Sequence, residues 1–352
     1  MNIATIIGAR PQFIKAAMLS REILDNSKIN ETIIHTGQHF DKNMSAIFFE
    51  EMKIPKPHYN LEIGSLSHGA MTGRQLEKIE KILFDVKPDI VVVYGDTNST
   101  LAGAIAASKM HIPVAHIEAG LRSFNKKMPE EINRILSDHV SDYLFTPTNV
   151  AKKNLTNEGI ANEKIFTVGD IMYDAALFFG EIADNRKSIM NNLNLKHKEY
   201  ILSTIHRPEN TNSRDKMNNI LSALSQSHLP VILPIHPGTK KKLKDYSLLD
   251  YENIDFIDPV GYLDMITLQK NANKIATDSG GIQKEAYFHR VPCITMRDET
   301  EWVELLEVGA NELTGSNIDK INKALKKDFS FSEKNIYGDG TAASKIIKVL
   351  MK

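Results

Sequence analysis

Residues 94–134 read YGDTNSTLAGAIAASKMHIPVAHIEAGLRSFNKKMPEEINR. The apolar run 90–94 (IVVVY) ends here, a helical pattern rich in alanine covers 98–110, and Pro113 precedes a second apolar run at 114–117 (VAHI). Continuous Val/Ile runs on either side of an amphipathic stretch are the pattern of parallel strands buried on both faces, so the segment reads as a βαβ unit. In an open α/β sheet, ligands bind in the crevice outside the C-terminal strand ends. Asp96, Glu118 and Glu130 all lie at or beyond such an end, with His116 close by. Three carboxylates and a histidine on one edge point to proton-transfer chemistry, for which the rest of the chain has to supply a reactant.

The same alternation extends in both directions. Strand patterns stand at 3–7, 32–36 and 143–145, with helical patterns around 12–24, 41–52, 69–86 and 129–140; Asp41 and Ser67 are expected at or near helix caps. A second series of apolar runs begins near residue 165 and recurs at 200–205, 231–235, 254–257, 274–277 and 292–296. Helical patterns around 171–192, 211–226, 262–271, 281–289 and 317–326 fall between them, and the polar stretch Lys187–Lys198 is expected to be a surface loop. Two successive βα series predict an α/β protein of two doubly wound, Rossmann-like domains facing across a cleft. The expected boundaries are 1–169, 170–339 and a C-terminal helix over 340–352.

Composition narrows the class. At 352 residues the chain is long for one core, while 42% hydrophobic and 25% charged residues are ordinary for a globular protein. A net charge of −1 gives no general attraction to nucleic acid or anionic membrane. The single Cys293 fits a reducing compartment, MNIATIIGARP reads as a first strand and not a leader, and no apolar run reaches the length of a membrane span; a cytoplasmic location is expected. HExxH, clustered Cys/His and DxDxDG loops are all missing, so no metal is expected. Neither GxGxxG nor a Tyr-x-x-x-Lys pair is found, so no nicotinamide or other cofactor is expected.

Four further segments carry chemistry. Gly8–Lys15 (GARPQFIK) lies at the first strand-to-helix turn: Gly8 permits a tight turn, Arg10 can fork onto a phosphate and Lys15 lies a helical turn further on. A plain βα turn with two solvated cations fits the segment equally well. In Thr277–Glu285 (TDSGGIQKE) a strand runs into Ser279, Gly280 and Gly281 and then a helix, which makes an anion site from N–H groups, and Glu285 is placed to meet a ribose diol. Serine capping alone explains less, since each glycine in a first turn costs about 1 kcal/mol against alanine. His206 and His236 each follow a strand in the same half of the chain, where two histidines beside Ser-Gly-Gly favour contact with phosphate. In the first half, Asp96 has a capping alternative, and Glu130 and Glu131 have one as first-turn acids. Glu118 closes a strand on the face of His116 and needs a partner, for which Arg122 and Arg134 are the candidates.

GARPQFIK (8–15), TGQHFD (36–41), YGDTNST (94–100), HIEAGLRS (116–123), PEEINR (129–134), HRPEN (206–210), HPGT (236–239) and TDSGGIQKEA (277–286) occur in this order over nearly the whole chain. Together they resemble the non-hydrolysing UDP-N-acetylglucosamine 2-epimerase family. The resemblance implies a GT-B-like fold, a homodimer, and inversion of a UDP-sugar at C2 through loss of UDP to a 2-acetamidoglucal. It implies acid/base roles for Asp96, Glu118 and Glu130, a catalytic role for His206, and a positive charge at the reacting end from Lys15. It also implies UDP contacts from Arg10, His236, Ser279, Gly280, Gly281 and Glu285, with Arg134 beside the substrate.

The chain departs from the commonest family pattern in HRPEN, at Asp41, and in the short loop Ser123–Met128, regions that by resemblance border an allosteric UDP-GlcNAc in many bacterial members. FFEEMKIPKP (48–57), DPVGYLDM (258–265) and TMRDETEWVELLEVGAN (295–311) look most like the branch acting on UDP-2,3-diacetamido-2,3-dideoxy-glucuronate for surface polysaccharide synthesis. UDP-GlcNAc is the other expected substrate. A GT-B glycosyltransferase, a hydrolysing 2-epimerase and a non-catalytic UDP-sugar binding protein are the alternatives; the last would tolerate neutral residues where this chain has Asp96, Glu118 and Glu130.

Overall fold

Strands made of Val and Ile have to bury both faces, and in the computed structural model they do so in two parallel sheets. The structure describes residues 1–38, 54–184, 188–331 and 335–352. The helix expected over 41–52, Asp41, most of the segment 48–57 and Lys187 lie outside the described residues. In the first sheet the spatial order is β3-β2-β1-β4-β5-β6-β7, comprising β1 (Asn2–Ile7), β2 (Asn30–His35), β3 (Tyr59–Asn60), β4 (Ile90–Tyr94), β5 (Val114–Ile117), β6 (Tyr143–Thr146) and β7 (Ile165–Thr167). β1 therefore lies between β2 and β4, with Ile3 opposite Ile90 and Thr5 opposite Val92. The strand order reverses at that junction, so the loops after β1 and β4 diverge and leave the crevice where doubly wound sheets bind ligands.

The helix Asn98–Lys109 packs on these central strands together with the helix His68–Val86. Its small residues are what allow the close approach: a Cβ at Gly103 would come within 2.7 Å of the Ile6 side chain. Ile6, Ile34, Val91, Val93, Ala102 and Ala106 form the middle of this core, where truncating Ile6 to alanine should cost about 2–5 kcal/mol.

The second sheet repeats the pattern. β8 (Ile201–Thr204), β9 (Val231–Pro234), β10 (Ile254–Ile257), β11 (Lys274–Thr277), β12 (Cys293–Thr295) and β13 (Asn311–Leu313) stand in the order β10-β9-β8-β11-β12-β13, with its reversal between β8 and β11. The fold class is thus α/β with two Rossmann-like sheets, as in GT-B-like proteins.

The compact units are residues 1–175 with 335–352, and residues 176–334. They divide inside the helix Ile171–Asp184, whereas the sequence places the division at Gly169-Asp170. Three sequence expectations need correction. The run at 165 does not begin the second sheet, because Ile165–Thr167 pairs in parallel with β6. The helix expected over 171–192 is two helices, Ile171–Asp184 and Ser188–Asn192. Lys187–Lys198 is not simply a polar loop, since Met190, Leu193 and Leu195 pack into the second unit's core. The C-terminal helix Ala342–Leu350 lies in the first unit against the helix Arg10–Leu24, and its Ala342 and Ala343 N–H groups donate to Asp174 at 3.1 and 2.8 Å. Among the described residues no helix is long and apolar enough to cross a membrane.

Candidate active site

The loops at the reversal of the first sheet hold most of its expected site residues. Gly8 follows β1, yet its φ is not positive, and what demands glycine there is space: a Cβ would collide with the Thr36 and Ser99 hydroxyls, which bond each other at 2.7 Å. Buried Gln12 clamps the same turn. Its Oε1 accepts from the N–H groups of Gly8 (2.8 Å) and Ala9 (3.0 Å), and its Nε2 donates to the Tyr94 carbonyl (2.8 Å) and the Thr100 hydroxyl (3.0 Å). Arg10 begins the following helix, but its side chain lies outside what is described. Lys15, one turn on, is buried, and its Nζ is bonded to Glu118.

Glu118 stands one residue beyond β5 at φ 70°, so strand alternation no longer directs its side chain and the expected shared face with His116 does not apply. Its ion-pair partner is Lys15, not Arg122 or Arg134. The Lys15 and Glu118 side chains are only 7% and 10% exposed, and removing one partner from such a pair costs about 3–5 kcal/mol. Gly95, at φ 61°, lies against the pair: a Cβ there would be 3.2 Å from both Glu118 Oε2 and Lys15 Nζ.

Asp96 is not a helix cap. Thr97 caps the helix Asn98–Lys109 by accepting from the Thr100 N–H, which leaves Asp96 to Arg134. Arg134 reaches Asp96 Oδ2 through Nε (3.0 Å) and Nη2 (2.8 Å), and Glu131 Oε2 through Nη1 (2.7 Å). Glu131, which sequence reasoning set aside as a first-turn acid, is buried and accepts the N–H groups of Ser123 and Phe124 at 2.9 Å each. Burial alone would raise its carboxyl, but those N–H groups and Arg134 outweigh that and hold it below the usual range. Glu130 is exposed in the first turn of the helix Pro129–Val140. His116 is fully buried, with Nδ1 on Asp138 (2.7 Å) and Nε2 on the Gly95 carbonyl (2.7 Å), and Arg122 pairs with Asp138 and Glu158. These two residues hold the β4 and β5 loops in place.

In the second unit, His206 follows β8 and Asp278 follows β11, at that sheet's reversal. Asp278 is completely buried and accepts from His206 Nδ1 (3.0 Å), the His206 and Arg207 N–H groups, and Asn210 Nδ2 (3.1 Å). Burial acts to raise its carboxyl; the bonds and charge of His206 and the two N–H groups bring it below the usual range. With Nδ1 taken, Nε2 is the remaining ring nitrogen of the half-exposed His206 side chain. Ser279 caps the helix Gly280–Phe288 through a long bond from the Ile282 N–H (3.4 Å), and a Cβ at exposed Gly281 would meet nothing nearer than 4.0 Å. His236 caps the helix Pro237–Asp245, its Nδ1 accepting from Gly238, so a neutral ring carries its proton on Nε2. Glu285 is buried and accepts from Gln269 Nε2 at 2.7 Å.

Residues 21–351 match the family described as UDP-N-acetylglucosamine 2-epimerase. The chain belongs to this family. It is 54% identical over 357 residues, 99% of each chain, to a UDP-N-acetylglucosamine 2-epimerase homolog of Methanococcus maripaludis. It is 51% identical over 360 residues, the whole of each chain, to the UDP-2,3-diacetamido-2,3-dideoxy-D-glucuronate 2-epimerase of Pseudomonas aeruginosa. The crystal structure of the Methanocaldococcus jannaschii UDP-GlcNAc 2-epimerase in complex with UDP-GlcNAc and UDP is 47% identical, with a TM-score of 0.91 over 100% of this chain and 99% of that one.

Within this UDP-N-acetylglucosamine 2-epimerase family member, sequence reasoning missed Gln12, Glu131, Asp138 and Asp278. Each is a buried group that orients a neighbouring residue or loop; Gln12, Glu131 and Asp278 lie inside the motifs GARPQFIK, PEEINR and TDSGGIQKEA, whereas Asp138 lies in none. Among the described residues no three His, Cys, Asp or Glu side chains are grouped so as to hold a metal ion.

Proposed function

We propose that this chain inverts C2 of a UDP-2-acetamido sugar without hydrolysing it, through elimination and re-addition of UDP. The observation that supports this most is the pair of differently held carboxylates at the ends of β4 and β5: Asp96 on Arg134 and Glu118 on Lys15. A C2–H is a weak acid, so a base must be held against it while the departing diphosphate is stabilised. One carboxylate takes the C2 proton, the C1–O bond breaks with its electron pair on the UDP oxygen, and the 2-acetamidoglucal results. For return, a second acid delivers a proton to the opposite face of C2 and the UDP oxygen attacks C1.

In this reading Asp96, Glu118 and Glu130 supply the acid/base groups, Lys15 the positive charge beside them, and His206, oriented by Asp278, a further proton donor. Arg134 acts by holding Asp96. Ser279, the Gly280 and Gly281 N–H groups, His236 Nε2 and Arg10 take the diphosphate, and Glu285 the ribose. The first substrate to test is UDP-2,3-diacetamido-2,3-dideoxy-glucuronate, on the pattern of residues 258–265 and 295–311, with UDP-GlcNAc beside it. A cytoplasmic homodimer serving surface polysaccharide synthesis accords with this reading.

The test is incubation with each sugar in deuterated water, followed by NMR. Intact UDP-sugar carrying deuterium at an inverted C2 is the expected product. If neither sugar exchanges at C2 the proposal fails, and release of free sugar would assign the chain to the hydrolysing enzymes instead.

A further inference from the structure

The start of the helix Gly280–Phe288 already has an anion of this chain beside it. A Cβ built on Gly280 would collide with Glu301 Oε1. Cβ bonds in a helix tilt toward its N-terminus, so an atom seated at that position on the first helical residue lies along the N-terminal rim. The carboxylate is held there. Its Oε2 accepts from Arg297 Nη1 at 2.8 Å, and the Arg297 and Glu301 side chains are only 10% and 8% exposed. The segment is pinned to the helix by buried Gln283, whose Oε1 accepts from the Thr300 hydroxyl (2.7 Å), and the Trp302 ring lies 4.1 Å under Lys284 Nζ. Glycine at 280 is thus explained by the carboxylate next to it, and Gly281 is the position left open.

We infer that Glu301 is a built-in competitor of the diphosphate: it loads the helix N-terminus and neutralises Arg297, and thereby keeps UDP binding weak enough for UDP to leave C1, re-add and be released as product. This rests on the reading that Ser279, Gly280 and Gly281 take the diphosphate. A unit negative charge a few ångströms from a bound diphosphate opposes it even at the effective dielectric of a protein surface, and its place beside the first helical residue offsets the attraction of the helix N-terminus for a phosphate. Glu301 is in this sense a positioning residue that tunes affinity and touches none of the reacting atoms.

Calorimetry with UDP and with uridine separates this from a merely structural role. Glu301→Gln in the full-length chain should tighten UDP by about tenfold or more while uridine affinity stays as in the wild type. Glu301→Asp, which keeps the charge, should stay near the wild type for both, and Arg297→Gln, which leaves the carboxylate unopposed, should weaken UDP alone. Unchanged or weaker UDP binding by Glu301→Gln overturns the inference, as does an equal loss of UDP and uridine, which would mark Glu301 as part of the fold only. A wild-type chain that binds uridine but gains nothing from the diphosphate overturns the underlying assignment of the helix N-terminus.

Discussion

Glu118 meets Lys15 from the other side of a 103-residue separation, at a left-handed φ that takes it off the strand. Both side chains are largely shielded from solvent, so their pairing is not a loose surface contact. Glu118→Gln keeps a carbonyl acceptor for Lys15 Nζ but removes the proposed acid/base carboxylate. We expect C2 exchange to fall by about 100-fold or more, the range general-base groups contribute, with UDP affinity preserved. Calorimetry and NMR exchange on one preparation check this, and a parallel loss of UDP binding would show a structural role. His206 makes the same point in the second unit. Its motif was legible in the sequence, while the buried Asp278 that fixes its Nδ1 was visible only as a neighbour of Ser-Gly-Gly.

At the level of elements, the loop after β4 decides how close Glu118 and Lys15, proposed to act at C2, come to it. Gly95 takes φ 61°, and its missing side chain leaves room for the Lys15–Glu118 pair. Gly95→Ala should cost about 1–2 kcal/mol for the left-handed backbone. By displacing the pair it should also slow C2 exchange by more than that loss of stability explains. Thermal unfolding beside the exchange rate reads both, and unchanged exchange would show that the pair need not lie this close. The same scale explains the sequence errors in the fold. β3 and β13 have two and three residues, too few to display a period, and the end of the helix at Asp184 carries no proline or glycine to announce it.

At the level of the molecule, Asp174 caps the returning C-terminal helix from the helix Ile171–Asp184. Its carboxyl is pushed up from 3.8 to about 6, chiefly by burial and further by Asp170 and Asp339, against the two N–H bonds from Ala342 and Ala343; Lys345 is paired with Asp339. The folded chain therefore holds this proton more tightly than the unfolded chain. Stability from this group is fully present below 3.8 and is lost as pH rises through about 6. Asp174→Asn, which removes the titration but keeps only one acceptor for the two N–H groups, should flatten the dependence of the unfolding temperature on pH across that window. An unchanged slope would place the titration elsewhere.

What the sequence determined by itself was the order of elements and the list of polar motifs at their C-terminal ends. Burial on both faces writes a parallel strand as an unbroken apolar run, and the turn that follows must be polar, glycine-containing, or both. TDSGGIQKE and YGDTNST are legible for that reason. Which motifs become neighbours was decided only in three dimensions, by strand order. Placing β1 beside β4 and β8 beside β11 joins residues far apart in the chain, and nothing local encodes that pairing. The partners of Glu118, Asp96 and His206 followed from it, because a buried charge is satisfied by whatever group the packed sheet brings within reach.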